Sequence, residues 1–549
     1  MTDVMMYVNA VLMMLGGVGA LLIGMAMLSN NMRKVASTKL EELFNKTTNN
    51  RYMGFGIGLG TTAIIQSSSV TTVMVVGLVN AGVLTLFQAT TIIMGANVGT
   101  TVTAQLASLA ALKNSGFDFV IVAMLFAFVG SFMTMLAKKE RVKVMGNVLS
   151  GLGLVFVALY LLGVAMESIK GLGHVEELLT SLSNPFVLLL IGTIITAIFQ
   201  SSSAITAIII SMSIAGIAIG NGGNDALYVI LGTNIGTTVT AALSAIGTNT
   251  NARRTALIHL LFNVFGSVIF FIILLIFPGF KENFLGSLFR TEANQIAMFH
   301  TIFNLSCSIL FLPFAEVFVS ISKKLIPDKE QKNRQVVVLD ERLLKTPSIA
   351  VKQLKKETVI MAENAMSGLR DSFNAFVKKD VTIKETIQAQ IRNTNRINKQ
   401  ITAYLVKLSG ENLNYQDKVE VSALYHVIND LERIGDLADN LTKYTDALVY
   451  EKLHFTDTAI EDLKEMFGVI EELFVVSLEV FTNPTQEKID LVDVLEQKVD
   501  DLRKSIVDSH IVRLEEGICS PDSSPVLINL VSNLERAADH MQFIAHSKY

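Results

Sequence analysis

Gln66-Ser67-Ser68-Ser69 interrupts a long apolar run, and 134 positions later Gln200-Ser201-Ser202-Ser203 interrupts another. The first cluster lies in Tyr52–Leu112, which holds no Asp, Glu, Lys, Arg or His, and the second in Leu178–Asn224, which holds none either. Uncharged apolar tracts of this length belong in a membrane. Irregular backbone at membrane depth is tolerated mainly where it lines a cavity, so two matched polar clusters point to a site. Each tract is interrupted a second time, by Gly95-Ala96-Asn97-Val98-Gly99-Thr100-Thr101 and by Gly232-Thr233-Asn234-Ile235-Gly236-Thr237-Thr238.

A helix from Tyr52 to Gln66 rises about 22 Å at 1.5 Å per residue, short of a hydrocarbon core of about 30 Å. Residues 52–80 therefore read as a re-entrant hairpin of two short helices with the serines at its tip, followed by a turn at Asn80-Ala81-Gly82. The run 83–112 reads as a crossing helix broken at Asn97, and residues 185–247 repeat the scheme. Full-length apolar segments near 6–28, 117–137, 143–166, 255–277 and 295–322 supply the other spans. The first of these lacks a basic start and a cleavage site, so it reads as a retained helix.

The repeat extends beyond the clusters. Gly17 and Gly19 match Gly151 and Gly153 at an offset of 134, and Asn97 matches Asn234 at 137, so three residues are inserted between the two motifs. Residues 1–142 thus form a first membrane repeat and 143–325 a second, with one extra helix. Basic residues gather at Arg33, Lys34, Lys39, Lys46 and Arg51, at Lys138, Lys139, Arg141 and Lys143, at Arg253 and Arg254, and at Lys323 and Lys324. The alternate loops carry only Lys113, Lys170, Lys281 and Arg290. The positive-inside rule puts the N-terminus outside and everything after residue 325 in the cytoplasm. Three crossings per repeat invert the second against the first and bring the hairpin tips together near the midplane, as in secondary transporters.

At each tip the hydroxyls and the first backbone N–H groups of a helix attract an anion. The opposite helix end exposes carbonyls, which suit sodium, with Gln66, Thr62, Gln200 and Thr196 adding side-chain oxygens. Asn97, Thr100, Thr101, Asn234, Thr237 and Thr238 lie at the helix breaks and are expected to face the tips. No Arg or Lys lies near in sequence, so the anion is held by neutral dipoles. His259-x-x-Phe-Asn263 and His300-x-x-Phe-Asn304 put His and Asn on one helix face. These read as polar contacts between neighbouring helices, with proton sensitivity as the alternative. Glu316 is an isolated acid in the last span, close to its inner end.

Over the whole chain 51% of residues are hydrophobic and 17% charged, against about 25% charged in soluble proteins. The charge is concentrated after about Pro327. Residues 326–347 read as a linker and 348–549 as a soluble helical domain, in units of about 348–450 and 455–549, with six helices near 350–378, 381–409, 414–448, 457–481, 485–510 and 522–547. Leu431-Glu432-Arg433-Ile434-Gly435-Asp436 recurs as Leu534-Glu535-Arg536-Ala537-Ala538-Asp539 at an offset of 103. Glu432 with Asp436, and Glu535 with Asp539, share a helix face; they read either as a solvated or Arg-paired face or, with Asp439 or His540 added, as metal ligands. Cys307 and Cys519 fall one in each region, which gives no disulfide framework.

The paired QSSS clusters with GANVGTT and GTNIGTT resemble the type II sodium–phosphate cotransporter family over most of residues 6–322. The resemblance implies an all-α polytopic transporter of two inverted repeats. It implies a phosphate site at Gln66, Ser67, Ser68, Ser69, Gln200, Ser201, Ser202 and Ser203 with the threonines at the breaks, and sodium at the same tips, Ser67 and Ser201 included. The tail resembles the PhoU family, whose repeats often bind metal clusters. That likeness adds Glu496 and Asp500 in the second unit, whereas the first has Asn395 and Asn398 where acids are expected. The expected cofactors are sodium as the coupling ion and a divalent metal in the tail. The expected partners are phosphate, membrane lipid and further copies of the chain, with no nucleic acid. No nucleophile–base pair, phosphate-binding loop or catalytic metal spacing marks an enzyme. The remaining alternatives are a carrier of another small oxyanion and a membrane-tethered phosphate sensor.

Overall fold

The computed structural model describes residues 2–45, 49–109, 113–114, 117–170, 181–328, 339–345, 347–411 and 413–548. Lys46, the end of the first uncharged tract at Leu112 and residues 329–338 of the linker lie outside the described residues. The chain divides into two compact units, Met1–Gln331 and Lys332–Tyr549.

The first unit opens with α1 (Thr2–Asn45), then α2 (Arg51–Ile65), α3 (Ser68–Asn80), α4 (Leu86–Gly99), α5 (Thr101–Leu109), α6 (Phe119–Leu136) and α7 (Glu140–Lys170). A two-residue strand pair, Lys113–Asn114 with Phe117–Asp118, precedes α6. The second half runs α8 (Pro185–Phe199), α9 (Ser202–Ile214), α10 (Asp225–Gly236), α11 (Thr238–Ser244) and α12 (Thr250–Ile276). After a π-helical turn at Phe280–Leu285 come α13 (Glu292–Phe311) and α14 (Ala315–Leu325), joined by a 3-10 turn at Leu312–Phe314. Six segments among the described residues are long and apolar enough to cross a membrane: Val8–Ala36, Leu86–Leu109, Glu140–Ser168, Asp225–Ser244, Thr250–Ile276 and Glu292–Leu325. Large apolar residues face outward along whole helix faces, as Ile121, Leu125, Phe128 and Phe132 do on α6, each at least half exposed. Such a continuous apolar exterior is what lipid requires and water does not tolerate.

The short helices pair as the sequence predicts. α2 and α3 meet at Gln66-Ser67, and α8 and α9 at Gln200-Ser201. α2 then packs on α4, and α8 on α10, through glycines that let backbones touch. A Cβ on Gly58 would overlap the Ile92 carbonyl oxygen, and one on Gly95 the Phe55 carbonyl. Gly192 meets Val229 and Gly232 meets Leu189 in the same way.

The helix breaks fall three residues later than expected. Asn97 stays inside α4, its side-chain amide donating to the Ile93 carbonyl at 2.9 Å, and Asn234 does the same to Ile230 in α10 at 3.0 Å. The interruptions come at Thr100 and Thr237, whose φ,ψ of −62°,−28° and −62°,−23° keep each run nearly straight. An Asn that satisfies its own helix backbone has no reason to end it.

α12 and α13 take equivalent places. α12 packs on α3, α4, α10 and α11; α13 packs on α9, α10, α4 and α5. Ser267 of α12 donates to the Leu231 carbonyl of α10 at 3.2 Å, and Ser308 of α13 donates to the Met94 carbonyl of α4 at 3.0 Å. Leu231 and Met94 each stand three residues before the motif asparagine. The helix expected as an extra one therefore covers the first half as α12 covers the second, while α6 packs against α7.

The second unit holds α15 (Pro347–Lys378), α16 (Lys384–Ser409), α17 (Tyr415–Tyr450), α18 (Asp457–Thr482), α19 (Gln486–Glu515) and α20 (Ser524–His546). These match the six expected helices to within a few residues. They form two three-helix units, with Phe373 of α15 stacked on Phe467 of α18 at 4.1 Å between ring centroids.

Candidate functional site

Both tips are built alike. Gln66 ends α2 in the left-handed region (φ 60°, ψ 26°), and Gln200 ends α8 the same way (φ 54°, ψ 27°). Among the described residues only Lys379 and Lys452 share that conformation without being glycine. A left-handed glutamine is strained, and its presence at two matched positions marks the tips as built for something other than stability. The next residue caps the following helix: Ser67 Oγ accepts from the Val70 N–H at 3.3 Å and Ser201 Oγ from the Ala204 N–H at 3.2 Å. The N–H groups of Ser68, Ser69, Ser202 and Ser203 begin their helices with no intrahelical acceptor.

The tips meet. Ser69 Oγ donates to the Gln200 carbonyl at 3.2 Å. Around that contact lies a cavity of about 240 Å³, lined by Gln66, Ser67, Ser68, Ser69 and Val70 from one hairpin and by Gln200, Ser201, Ser202 and Ser203 from the other. Leu22, Met25, Ala26, Ser29 and Asn30 of α1 complete the wall. Among the described residues no charged side chain lines it. The α1 residues of the wall were missed in the sequence, where that helix drew notice for its glycines and its basic end; Ser29-Asn30 after a long apolar run was the available signal.

Thr62 and Thr196 lie fully buried one turn behind the tips. Thr62 Oγ1 donates to Thr71 Oγ1 at 3.0 Å, whereas Thr196 Oγ1 has no partner. Gln66 Oε1 accepts from Thr103 at 2.9 Å, and its amide donates to the Ala63 carbonyl. Asn97, Thr100, Thr101, Asn234, Thr237 and Thr238 are all buried, yet none lines the cavity. They stand behind it: a Cβ on Gly99 would lie 2.8 Å from Thr62 Cβ, and one on Gly236 2.8 Å from Thr196 Cβ. Glu316 is well exposed, 4.0 Å from Arg51.

In the second unit the expected metal ligands do not assemble. Among the described residues no group of three His, Cys, Asp or Glu sits close enough to hold a metal. Glu432 accepts from Asn398, Asp436 lies 3.4 Å from Arg433, and Asp439 lies 2.9 Å from Lys443. Glu496, Asp500, Glu535 and Asp539 do crowd together on α19 and α20. Burial, then the charges of Asp500 and Asp539, hold the Glu496 carboxyl above its usual range. Burial and Asp539 raise Glu535, against Arg503 at 3.8 Å, and burial and Asp500 raise Asp539.

The Na+/Pi-cotransporter family matches residues 20–164 and 165–283, and the PhoU domain matches 358–445 and 463–547. YjbB of Escherichia coli (strain K12), named for inorganic phosphate export, is 25% identical over 97% of this chain and 96% of its own length. YqeW of Bacillus subtilis (strain 168) is 33% identical over 56% of this chain and 95% of its own. A Thermotoga maritima accessory protein of the phosphate-specific transport system, PhoU homolog 1, is 34% identical over 20% of this chain and 47% of its own. No solved structure matches. The chain belongs to the Na+/Pi-cotransporter family and carries a C-terminal PhoU domain; it is a membrane protein of a transporter family, not an enzyme.

Proposed function

We propose that this family member carries inorganic phosphate across the cytoplasmic membrane, coupled to sodium, by alternating access. The observation that carries the reading is the meeting of two QSSS tips in one cavity of about 240 Å³ whose described wall carries no charged side chain. At about 30 Å³ per water, such a space takes one tetrahedral anion and some of its hydration. Phosphate is bound by the hydroxyls and first N–H groups at Gln66–Ser69 and Gln200–Ser203, where the dipoles of α3 and α9 converge. The buried Asn97, Thr100, Thr101, Asn234, Thr237 and Thr238 hold the tips from behind. Sodium sits against Thr62, Gln66 and Ser67 and against Thr196, Gln200 and Ser201. Its charge offsets that of the anion, which neutral dipoles alone hold weakly, so loss of sodium releases the cargo.

The two repeats are inverted across the membrane, with the N-terminus outside and the PhoU domain in the cytoplasm, where it ties transport to phosphate status. The relative named for export favours outward movement as the working direction. The family's description supports sodium coupling.

The test is labelled phosphate flux in liposomes holding the full-length protein, under sodium gradients of either direction and with potassium in place of sodium. Flux that requires sodium, and that Ser68→Ala or Ser202→Ala abolishes in folded protein, is the expected result. Phosphate binding without flux would support the sensor reading instead. Equal competition by sulfate would widen the cargo to oxyanions in general.

A further inference from the structure

α6 carries no Asp, Glu, Lys, Arg or His from Phe119 to Leu136. Its 18 residues rise about 27 Å at 1.5 Å per residue, close to the roughly 30 Å of a hydrocarbon core. The turn that follows, residues 137–143, therefore stands at the level of the lipid headgroups. It reads Ala-Lys-Lys-Glu-Arg-Val-Lys, with four cations and one acid in seven residues. Phe128, Phe132, Met135 and Leu136 lead up to it, each at least half exposed, so lipid chains cover the helix to its end.

The turn is held in place by the helices it joins. A Cβ on Gly130 of α6 would lie 2.5 Å from the Gly146 carbonyl oxygen of α7, so the two backbones touch. Thr134 Oγ1 donates to the Gly130 carbonyl at 2.9 Å and lies 3.2 Å from Asn147 Oδ1. The Asn147 amide in turn reaches Asn31 Oδ1 of α1 at 3.5 Å. The cations themselves are left over. Lys138, Lys139 and Arg141 are exposed and Lys143 half-buried, and among the described residues none of the four has an acidic partner, Glu140 included. Other basic residues at helix ends are used within the protein. Arg51 donates to the Pro313 carbonyl at 2.7 Å, and Arg254 is buried against the Ile326 carbonyl and Asp328, at 2.9 and 3.0 Å. Lys323 and Lys324 also lack an acidic partner among the described residues, but they are two rather than four.

We propose that the α6–α7 turn, through Lys138, Lys139, Arg141 and Lys143, is a docking surface for the headgroups of anionic phospholipids. Charge complementarity names the partner: uncompensated positive charges stand where bilayer phosphates are the dense source of negative charge. Arg141 suits two phosphate oxygens at once, and the lysines act as point charges. Exposed cations hold a free anion weakly in salt. A lipid, by contrast, is kept beside them by its own chains at high effective concentration. Which leaflet supplies it follows from the topology proposed above; the chemistry does not depend on that.

The test is lipid retention by the full-length protein in detergent, titrated with phosphatidylglycerol or with zwitterionic phosphatidylcholine. Native mass spectrometry counts the bound lipid, and the unfolding midpoint reports its effect on the folded state. Phosphatidylglycerol is expected to stay bound and raise the midpoint, and phosphatidylcholine to do neither. Each of Lys138→Gln, Lys139→Gln and Arg141→Gln should weaken retention about fivefold. Changing all four cations to Gln should abolish the preference for the anionic lipid, and the three single variants carry the test where that protein does not fold. Lys138→Arg keeps the charge and should keep the lipid. Lys323→Gln with Lys324→Gln removes two unpaired cations elsewhere and should leave retention unchanged. A preference that survives the fourfold change overturns the site, as does an equal loss in the Lys323 and Lys324 variant. Displacement of the lipid by millimolar inorganic phosphate would make the ligand a free anion and overturn the lipid assignment. None of these outcomes depends on phosphate flux, so the lipid site and the carrier reading can fail separately.

Discussion

The hydroxyl of Ser69 on one hairpin tip donates to the backbone carbonyl of Gln200 on the other, 3.2 Å away. This bond joins residues 131 apart in sequence across the cavity proposed for phosphate. A neutral hydrogen bond contributes about 1 kcal/mol, so Ser69→Ala is expected to change the phosphate half-saturation about fivefold in the flux assay. Ser68→Ala and Ser202→Ala act on the site itself and should cost more. An unchanged half-saturation in all three would remove the tips from the site.

The backbone contacts between α2 and α4 and between α8 and α10 leave no room for a methyl group. Gly58→Ala and Gly192→Ala would overlap the Ile92 and Val229 carbonyls. Each is expected to destabilise the membrane unit by about 1–3 kcal/mol, seen as a lower midpoint in detergent. Gly56→Ala meets nothing within 4 Å and serves as the control.

Asn224 fastens the segment after α12. Its amide donates to the Leu274 and Phe277 carbonyls at 3.0 and 2.8 Å, and its oxygen accepts from the Lys281 N–H at 3.0 Å. Lys281 in turn lies 3.0 Å from Glu292 at the start of α13. Asn224→Ala frees three backbone groups and should cost about 2–4 kcal/mol. Limited proteolysis at residues 277–291 is the readout, and an unchanged cleavage rate would refute the fastening role.

The crowded acids of α19 and α20 give the PhoU unit a pH dependence of definite sign. Glu496, Glu535 and Asp539 all have carboxyls raised in the folded state. The stability they contribute is complete below their ordinary range and is lost as pH rises through the folded values. Glu535→Gln should therefore raise the unfolding midpoint of this unit at pH 7, by about 0.5–1 kcal/mol, and by less at pH 5. A gain that does not shrink on acidification would place the cause elsewhere.

The hairpins were legible because a charge-free tract allows few structures, and a tip that starts a new helix must carry capping residues such as Ser67 and Ser201. The exact breaks were not, because Asn97 looks like a helix stop until its side chain is seen bonding the Ile93 carbonyl. The place of α13 was hidden for another reason. Its partner α4 lies some two hundred residues earlier, and the local offset had already matched the first repeat to α6. The α1 wall of the cavity and the buried Thr103 against Gln66 likewise depend on packing between distant segments, to which periodicity is blind. In the PhoU unit the acids were found by motif, but whether they gather depends on neighbours such as Asn398 and Lys443, which the motif does not specify.

The bond from Ser308 to Met94 spans 214 residues, and a ribosome takes roughly 10–40 s to make that much chain at 5–20 residues per second. During that interval Gln105 lacks the α13 groups it bonds, the Ala297 carbonyl and the Thr301 hydroxyl. A chain that stops before Glu292 never gains the cover for its first half, however well its second half is formed. The cover of the first half is thereby postponed to the end of the membrane unit's synthesis, although the cavity itself is lined by α1 and the two hairpins alone.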